Sequence, residues 1–522
     1  MVTAPPRPAL SSGRSFVAAI DQGTTSTRCL VVDDQARVVA TAQVEHAQHY
    51  PQPGWVEHDP LEIWRNTVHV VEQALENAGL QATDLAACGI ANQRETVVVW
   101  DRVTGEPVHP AIVWQDTRTE ATCTRLAADP ETDSLFRAVT GLPLSSYFSG
   151  PKIAWVLDHV EGARGRAGRG DLLAGTVDSW LIWKLTGGPE GGQHVTDVTN
   201  ASRTLLMDLR RLEWSPELAS RLDVPVEVLP RIHRSSEVYG LGHGDGPLPG
   251  VPVAAALGDQ HAALVGQGCF EPGSSKSTYG TGGFLLCNTG EEIVRSEHGL
   301  LSTVAYQLND GPPCYALEGS VAVAGSLIQW LRDRLELIRD VAEVESLAAS
   351  VPDSGGAYVV PAFSGLLAPR WRPDARGVIA GLTAYTCKAH LVRAALEATC
   401  FQTREVVEAM RADTGHPIDE LTVDGGMVAN SLLMQLQSDT LQVPLSAPAV
   451  TETTALGAAF AAGLAVGVWD DLESVAAVCH RGRRWRPDPA SALPTTGWRE
   501  WNRAVDRSLD WAPSDQLVKE NA

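Results

Sequence analysis

DQGTTSTR, residues 21–28, sits between two apolar runs, residues 16–20 and 29–32, that read as buried β-strands. A strand connection built from Gly, Thr and Ser offers backbone N–H groups and hydroxyls to an anion. The same composition returns in TYGTGGF, residues 278–284, between a polar strand and an apolar strand at residues 284–287. Either segment alone reads first as a tight hairpin, since Gly is common in strand connections. Together they could grip a triphosphate from opposite sides, provided an acid and a substrate pocket accompany them.

Outward from these turns the apolar period changes with each element. Leu61, Trp64, Val68, Val71 and Leu75 recur at spacings of three and four, with Asp59 and Pro60 ahead and Gly79 behind, which predicts an amphipathic helix packed on a sheet. Residues 86–91 predict a short strand ending at Asn92-Gln93-Arg94-Glu95, and residues 96–100 another. Polar groups at a strand end are where open α/β sheets place ligands. Residues 251–257 predict a strand that stops at Gly258-Asp259-Gln260, ahead of small residues suited to a closely packed helix. Leu396, Cys400, Thr403, Val407 and Met410 mark a further helix, residues 421–423 a strand, and Asp424-Gly425-Gly426 a turn opening the next helix, together a seat for a nucleotide. Gly, Pro and His crowd residues 240–252, predicting a flexible surface loop, with the main domain change just after it near Gly268.

Composition restricts the class. A chain of 522 residues is too long for one core and predicts two large domains or three smaller ones, and 44% hydrophobic residues with 47 Gly fit an α/β enzyme. The net charge of −22 argues against nucleic acid or an anionic membrane as partner. The nine cysteines lack CxxC spacing and read as reduced core residues in the cytosol, with no zinc site. MVTAPPRPALSSGRS, residues 1–15, lacks the apolar centre of a signal peptide and reads as a disordered leader, and no segment reaches the roughly 18 apolar residues of a membrane span.

Standard nucleotide motifs are absent. Gly268 and Gly273 have Walker A spacing, but Ser274 follows where Lys is required and Lys276 comes too late. Gly280-Thr281-Gly282-Gly283 completes neither a protein-kinase nor a dinucleotide fingerprint. Phosphoryl chemistry here needs another architecture.

The ordered segments DQGTTSTR, YPQPGWVEHDP, NQRET, VWQDTRT, YFSGPKIAW, GTVDSWLIWKLTGG, TNASRT, GDQHAALVGQ, YGTGGF, VDGGMVAN and TALGAAFAAGLAVG carry a resemblance. The chain resembles the FGGY carbohydrate kinase family, within the actin, hexokinase and sugar kinase superfamily, and in it the members that phosphorylate glycerol. The resemblance implies an α/β fold of two ribonuclease H-like domains flanking a central cleft, residues 16–268 holding glycerol and phosphate and residues 269–522 the nucleotide. It implies ATP and Mg²⁺ in the cleft and transfer of the γ-phosphoryl to glycerol.

The family pattern places Arg94, Glu95, Tyr147, Asp259 and Gln260 on the polyol, and Trp114 and Phe284 against its carbons. Asp259 resembles the general base, and Asp21, together with Asp259, the carboxylates that hold Mg²⁺. Thr24, Thr25, Ser26 and Arg28 would contact the β/γ-phosphates from one side and Thr281 and Gly282 from the other. Gly425, Gly426 and Asn430 would bound the α-phosphate and adenosine, with Gln329 also on the nucleotide. Chemically the polar set fits three hydroxyls, since Arg94 is a planar donor fork and Glu95 and Asp259 are acceptors. Without the family, Arg94–Glu95 reads equally as a surface ion pair, and Trp114 and Phe284 read first as core aromatics.

Departures from the pattern matter too. His261 stands where Gln or Ser is frequent, and could line the pocket or cap a helix. Residues 240–250 lack the Arg of members inhibited by fructose 1,6-bisphosphate, so no such inhibition is expected. Phosphorylation of His243 and binding of a sugar-transport regulator at residues 487–496 are likewise not expected. A kinase for a pentulose, erythritol or another polyol would share Asp21, Asp259 and the glycine turns without needing Arg94-Glu95, Trp114 and Phe284 together. A silent actin-like ATP-binding protein would have no use for Asp259. Family members are often dimers or tetramers, so a homo-oligomer is expected.

Overall fold

The computed structural model describes residues 15–479 and 481–512. All of the expected leader but Ser15 lies outside them. β1 (Phe16–Gln22) and β2 (Ser26–Val32) form an antiparallel hairpin in which Asp21 pairs with Arg28 and Gln22 with Thr27. The turn is thereby narrowed to Gly23-Thr24-Thr25, and Ser26 and Arg28 belong to a strand. β3 (Val38–Glu45) pairs with β2, and α1 (Pro60–Ala78) crosses back over the sheet. Asp59 caps this helix by accepting the Leu61 N–H at 2.8 Å, worth about 1 kcal/mol, and Gly79 ends it in the left-handed conformation at φ 67°. β4 (Leu85–Asn92) then lies parallel to β1. β5 (Ser236–Leu241) and β6 (Pro252–Gly258) complete the sheet, in the order β5-β6-β4-β1-β2-β3.

Residues 240–252 are a hairpin connection rather than a free loop, because β5 pairs antiparallel with β6. The Gly242 N–H donates to Val251 O and the His243 N–H to Leu185 O, both at 2.8 Å, and Leu248 and Val251 are buried beneath.

After α2 (Asp259–Gly266) the chain builds a second sheet on the same plan. β7 (Ser275–Tyr279) and β8 (Gly283–Gly290) make the second hairpin, and β9 (Leu301–Tyr306) and β10 (Cys314–Val321) extend it antiparallel. α3 (Lys388–Thr414) crosses to β11 (Leu421–Asp424), which lies parallel to β7 as β4 does to β1. A 3₁₀ turn, Gly426–Ala429, intervenes before α4 (Ser431–Leu441), so the glycine turn does not open directly into the α-helix. β12 (Leu445–Pro448) and β13 (Arg481–Trp485) finish the order β9-β10-β8-β7-β11-β12-β13.

The strands change sheet between Gly258 and Ser275, but one late helix crosses back. α5 (Thr453–Val466), rich in Ala and Gly and buried along nearly its whole length, joins α2 and the first sheet in one core with Ala87, Ala255, Leu257 and Leu264. A Cβ on Gly457 would fall inside contact distance of the Ala262 carbonyl, so only glycine lets the two helices approach this closely.

All nine cysteines are free and seven are buried, but Cys387 is exposed, at the N-cap of α3 where no sheet covers it, and Cys479 is partly exposed. Among the described residues no helix is long and apolar enough to cross a membrane.

Candidate active site

β1, β4 and β6 run parallel side by side, with Gln22 and Gly258 both aligned with Asn92 between them. Asp21 and Asp259 therefore lie at the same end of the sheet, two strands or about 10 Å apart. From the second sheet, Thr278 at the end of β7 is paired with Asp424. The strand ends enclose a cavity of about 680 Å³. Its wall carries Arg94, Glu95, Trp114, Tyr147, Asp259, Gln260 and Phe284, and beside them Thr24, Thr25, Thr281 and Gly282 from the two turns. Eleven of the residues expected at the site are thus brought to one cavity.

Arg94 and Glu95 are not paired with each other. Arg94 grips both carboxylate oxygens of Glu318, through Nη1 on Oε2 and through Nη2 at 3.1 Å on Oε1, and its Nε faces Asp259 Oδ1 at 3.1 Å. Glu95 instead accepts from Arg203 Nε at 2.7 Å, and Arg203 Nη2 lies 3.2 Å from Glu318 Oε1. Burial would raise Glu318, but the guanidiniums of Arg203 and Arg94 overcome it and hold the carboxylate down at about 2. Glu95 is raised by burial, which Arg94 and Arg203 oppose.

The opposite wall is aromatic. Trp114 meets Tyr147 at 5.6 Å and Phe284 at 6.4 Å between ring centroids, both edge to face, and Arg94 lies 5.9 Å from the Phe284 ring centroid. The Trp114 Nε1–H donates to Thr24 Oγ1 at 2.9 Å, joining the wall to the first turn.

That turn is held from beneath. His58 Nε2 donates to Gln48 Oε1 at 2.8 Å, and Gln48 Nε2 donates to Thr24 O at 2.8 Å. Gln93 Nε2 lies 3.3 Å from His58 Nδ1 and 3.3 Å from Gly23 O. Burial, with His46 and His49 adding, pushes His58 down to about 3, which fixes it as a neutral imidazole. Ser26 and Arg28 are held by Gln43, which donates to Ser26 Oγ at 3.1 Å and accepts from Arg28 Nη2 at 2.7 Å.

In the second turn, the carbonyls of Gly280 and Thr281 receive the N–H groups of Gly325 and Ser326, each at 3.0 Å, so the turn abuts a helix start. A Cβ on Gly282 would lie 2.6 Å from Val321 O. Gly425 and Gly426 are exposed beside this turn, outside the cavity wall, and Gly425 adopts φ 91°. Asn430 is occupied as N-cap of α4, accepting the Leu433 N–H at 2.9 Å, and Gln329 is exposed on the helix Gly325–Asp333. None of these four residues lines the polyol cavity.

The pattern of the FGGY family of carbohydrate kinases, N-terminal domain, matches residues 16–266, and that of its C-terminal domain residues 276–466. The chain belongs to the FGGY family of carbohydrate kinases. A protein named glycerol kinase from Clavibacter michiganensis subsp. michiganensis is 56% identical over 500 residues, 96% of this chain and 99% of that one. Glycerol kinase 1 of Streptomyces avermitilis is 56% identical over 504 residues, covering 96% and 98%. Among solved structures, Plasmodium falciparum glycerol kinase with ADP superposes with a TM-score of 0.89 at 38% identity, covering 95% of this chain and 98% of that one. The two α/β units flanking a cleft are the ribonuclease H-like, actin/hexokinase-type pair expected from the sequence.

In this FGGY kinase no group of three or more His, Cys, Asp or Glu side chains could hold a metal unaided, among the described residues. A divalent cation arriving with phosphates needs only one or two carboxylates. Asp21 fits that need. Burial raises it to about 6 against the opposing pull of Arg28, with Asp259 and Glu452 adding negative charge. Such a crowded carboxylate gains from a cation.

Four participants lay outside the sequence reading: Glu318, Arg203, Lys276 and His58. Lys276, the lysine too late for a Walker A loop, is fully buried behind the site, donating to Gln260 Oε1 and, at 2.9 Å, to Thr278 Oγ1. Burial lowers it to about 8, with Asp424 and Asp259 opposing. The signal available was a charged residue in each apolar or small-residue context, Glu318 within CYALEGSV and Arg203 within TNASRT. His261 neither lines the cavity nor caps α2 through its side chain. It is buried 3.3 Å from Thr303 Oγ1, and burial with Arg94 nearby holds it well below its ordinary value.

Proposed function

We propose that this chain transfers the γ-phosphoryl group of ATP to glycerol, giving sn-glycerol 3-phosphate and ADP, the first step of glycerol breakdown. The observation that carries the reading is the cavity wall, where Arg94, Glu95 and Asp259 face Trp114, Tyr147 and Phe284 within reach of both glycine turns. A small triol loses its water hydrogen bonds on entry and needs fixed replacements, which Arg94 as donor and the carboxylates as acceptors supply. The aromatic wall covers the carbons.

Asp259 accepts the proton of the attacking hydroxyl. Its Oδ1 is engaged by the Gln260 N–H at 2.7 Å and faces Arg94, which leaves Oδ2 for substrate. Thr24 and Thr25 on one side and Thr281 and Gly282 on the other hold the β/γ-phosphates, while Gly425, Gly426, Asn430 and Gln329 bound the rest of the nucleotide. Asp21 and Asp259 would hold Mg²⁺, which when bound neutralises phosphate charge. Closing the cleft excludes water from the phosphoryl group. Residues 16–268 and 269–522 act as acceptor and nucleotide domains of a cytoplasmic homo-oligomer that binds no nucleic acid.

The test is ADP release with glycerol, dihydroxyacetone, xylulose and erythritol. Glycerol should give the highest kcat/KM, and absence of glycerol-dependent turnover overturns the reading.

A further inference from the structure

Glu95, Arg203, Glu318, Arg94 and Asp259 form an unbroken chain of alternating charges. Arg203, Glu95, Glu318 and Arg94 are 0%, 1%, 2% and 3% exposed. Burying so many charges brings no assured stability, since apolar packing of the same volume often serves as well. Arg203 Nη1 is even left buried without a hydrogen-bond partner. The arrangement is better accounted for by what it orients.

Four members come from the first α/β unit: Arg94 and Glu95 follow β4, Arg203 follows the short helix Val198–Ala201, and Asp259 opens α2. Glu318 alone comes from the second sheet, on β10. Arg94 has one productive orientation among many. Packing against Gly258, where a Cβ would lie 2.6 Å from Arg94 Cγ, fixes the stem, and the two-pronged grip of Glu318 fixes the guanidinium plane. Only that plane presents Nε to Asp259. Through Oε1 the same carboxylate also steadies Arg203, and so Glu95.

Resting on the glycerol reading above, we propose that Glu318 is a positioning residue for the acceptor: a carboxylate from the nucleotide-side sheet that assembles Arg94, Arg203, Glu95 and Asp259 into the polyol site. The acceptor half is then complete only when the other half's strand is in place. By its sheet Glu318 belongs with the nucleotide, whereas its place on the cavity wall and its contacts assign it to glycerol, and the two assignments predict opposite kinetics.

Glu318→Gln keeps the shape and removes the charge. Its kcat/KM for glycerol is expected to fall about 100-fold, mostly through KM, while Mg-ATP affinity measured by tryptophan fluorescence changes less than about threefold. In a double-mutant cycle, the combined loss of Glu318→Gln with Arg94→Ala should fall at least about tenfold short of the product of the single losses, because Glu318 acts in part through Arg94. Glu318→Asp should recover about tenfold over Glu318→Gln, since it retains the charge for both arginines. Equal losses for glycerol and Mg-ATP, or additive effects with Arg94→Ala, overturn the proposal. If Glu318→Gln does not fold, the same split measured on Glu318→Asp decides. Failure of the glycerol reading would already appear as missing turnover in the unmodified protein.

Discussion

Replacing Asp259 by Asn removes proton acceptance while leaving the protein's own contacts at this position in place. Oδ1 is engaged by the Gln260 N–H at 2.7 Å and by Arg94 Nε at 3.1 Å, and Asn can place its carbonyl oxygen on both donors. Its amide nitrogen then occupies the place of Oδ2, a donor where the reaction needs an acceptor. Arg94 keeps its grip on Glu318, so the polyol site stays assembled. A positioned general base contributes about 10²–10⁴-fold, or about 3–5 kcal/mol. The expected result is a kcat lower by that factor, with KM for glycerol changed by less than about fivefold. ADP release with saturating Mg-ATP gives both constants, and tryptophan quenching reports nucleotide binding in the same preparation. A kcat within about tenfold of the unmodified enzyme, or a loss wholly in KM, would refute the base assignment.

Arg94→Ala removes charge-assisted hydrogen bonds worth about 1.5–3 kcal/mol each, so KM for glycerol should rise about 10–100-fold, and an unchanged KM places Arg94 outside the pocket. His58 is buried and held down to about 3 by burial, so below about pH 6.5 the unfolded chain takes up a proton that the native state refuses. Native stability conferred by neutral His58 is therefore full above that pH and lost at about 1.4 kcal/mol per unit as pH falls toward 3. Asp178, raised to about 7 by burial and by Asp197, acts with the opposite sign. A comparison with His58→Gln isolates the histidine: its urea-unfolding deficit at pH 7 should shrink by about 2 kcal/mol at pH 5, and a constant deficit would contradict the assignment. Gly457→Ala forces a methyl against the Ala262 carbonyl. Thermal unfolding should register a loss of about 1–3 kcal/mol, and an unchanged midpoint would show that α2 and α5 can move apart freely.

The elements were legible in the sequence wherever chemistry is local. Asp59, Pro60 and Gly79 marked α1 to the residue because capping uses groups within one turn. The two glycine hairpins were visible because strand–turn–strand needs no distant partner, although their breadth was not: the register Asp21 opposite Arg28 draws Ser26 and Arg28 into β2. Asn92–Glu95 and Gly258–Asp259 were marked as polar strand ends, and the family resemblance supplied their roles.

What the linear chain could not display was the partner of each charge. Arg94 stands next to Glu95 in sequence, yet its ion pairs are with Asp259 and with Glu318, 224 positions away, while Glu95 pairs with Arg203, 108 positions away. Both residues stand in the bend after β4, where Glu95 is left-handed at φ 59°, so the sequence neighbours diverge and the long-range sheet order chooses the contacts. For the same reason Lys276 and His58, unremarkable in their own segments, became part of the site only when β7 was laid beside α2 and the first turn was closed over Gln48 and Gln93. Local order was written in residue spacing. The assembly of opposite charges across two sheets was decided by packing, because a buried charge must find its partner wherever the fold brings one within reach.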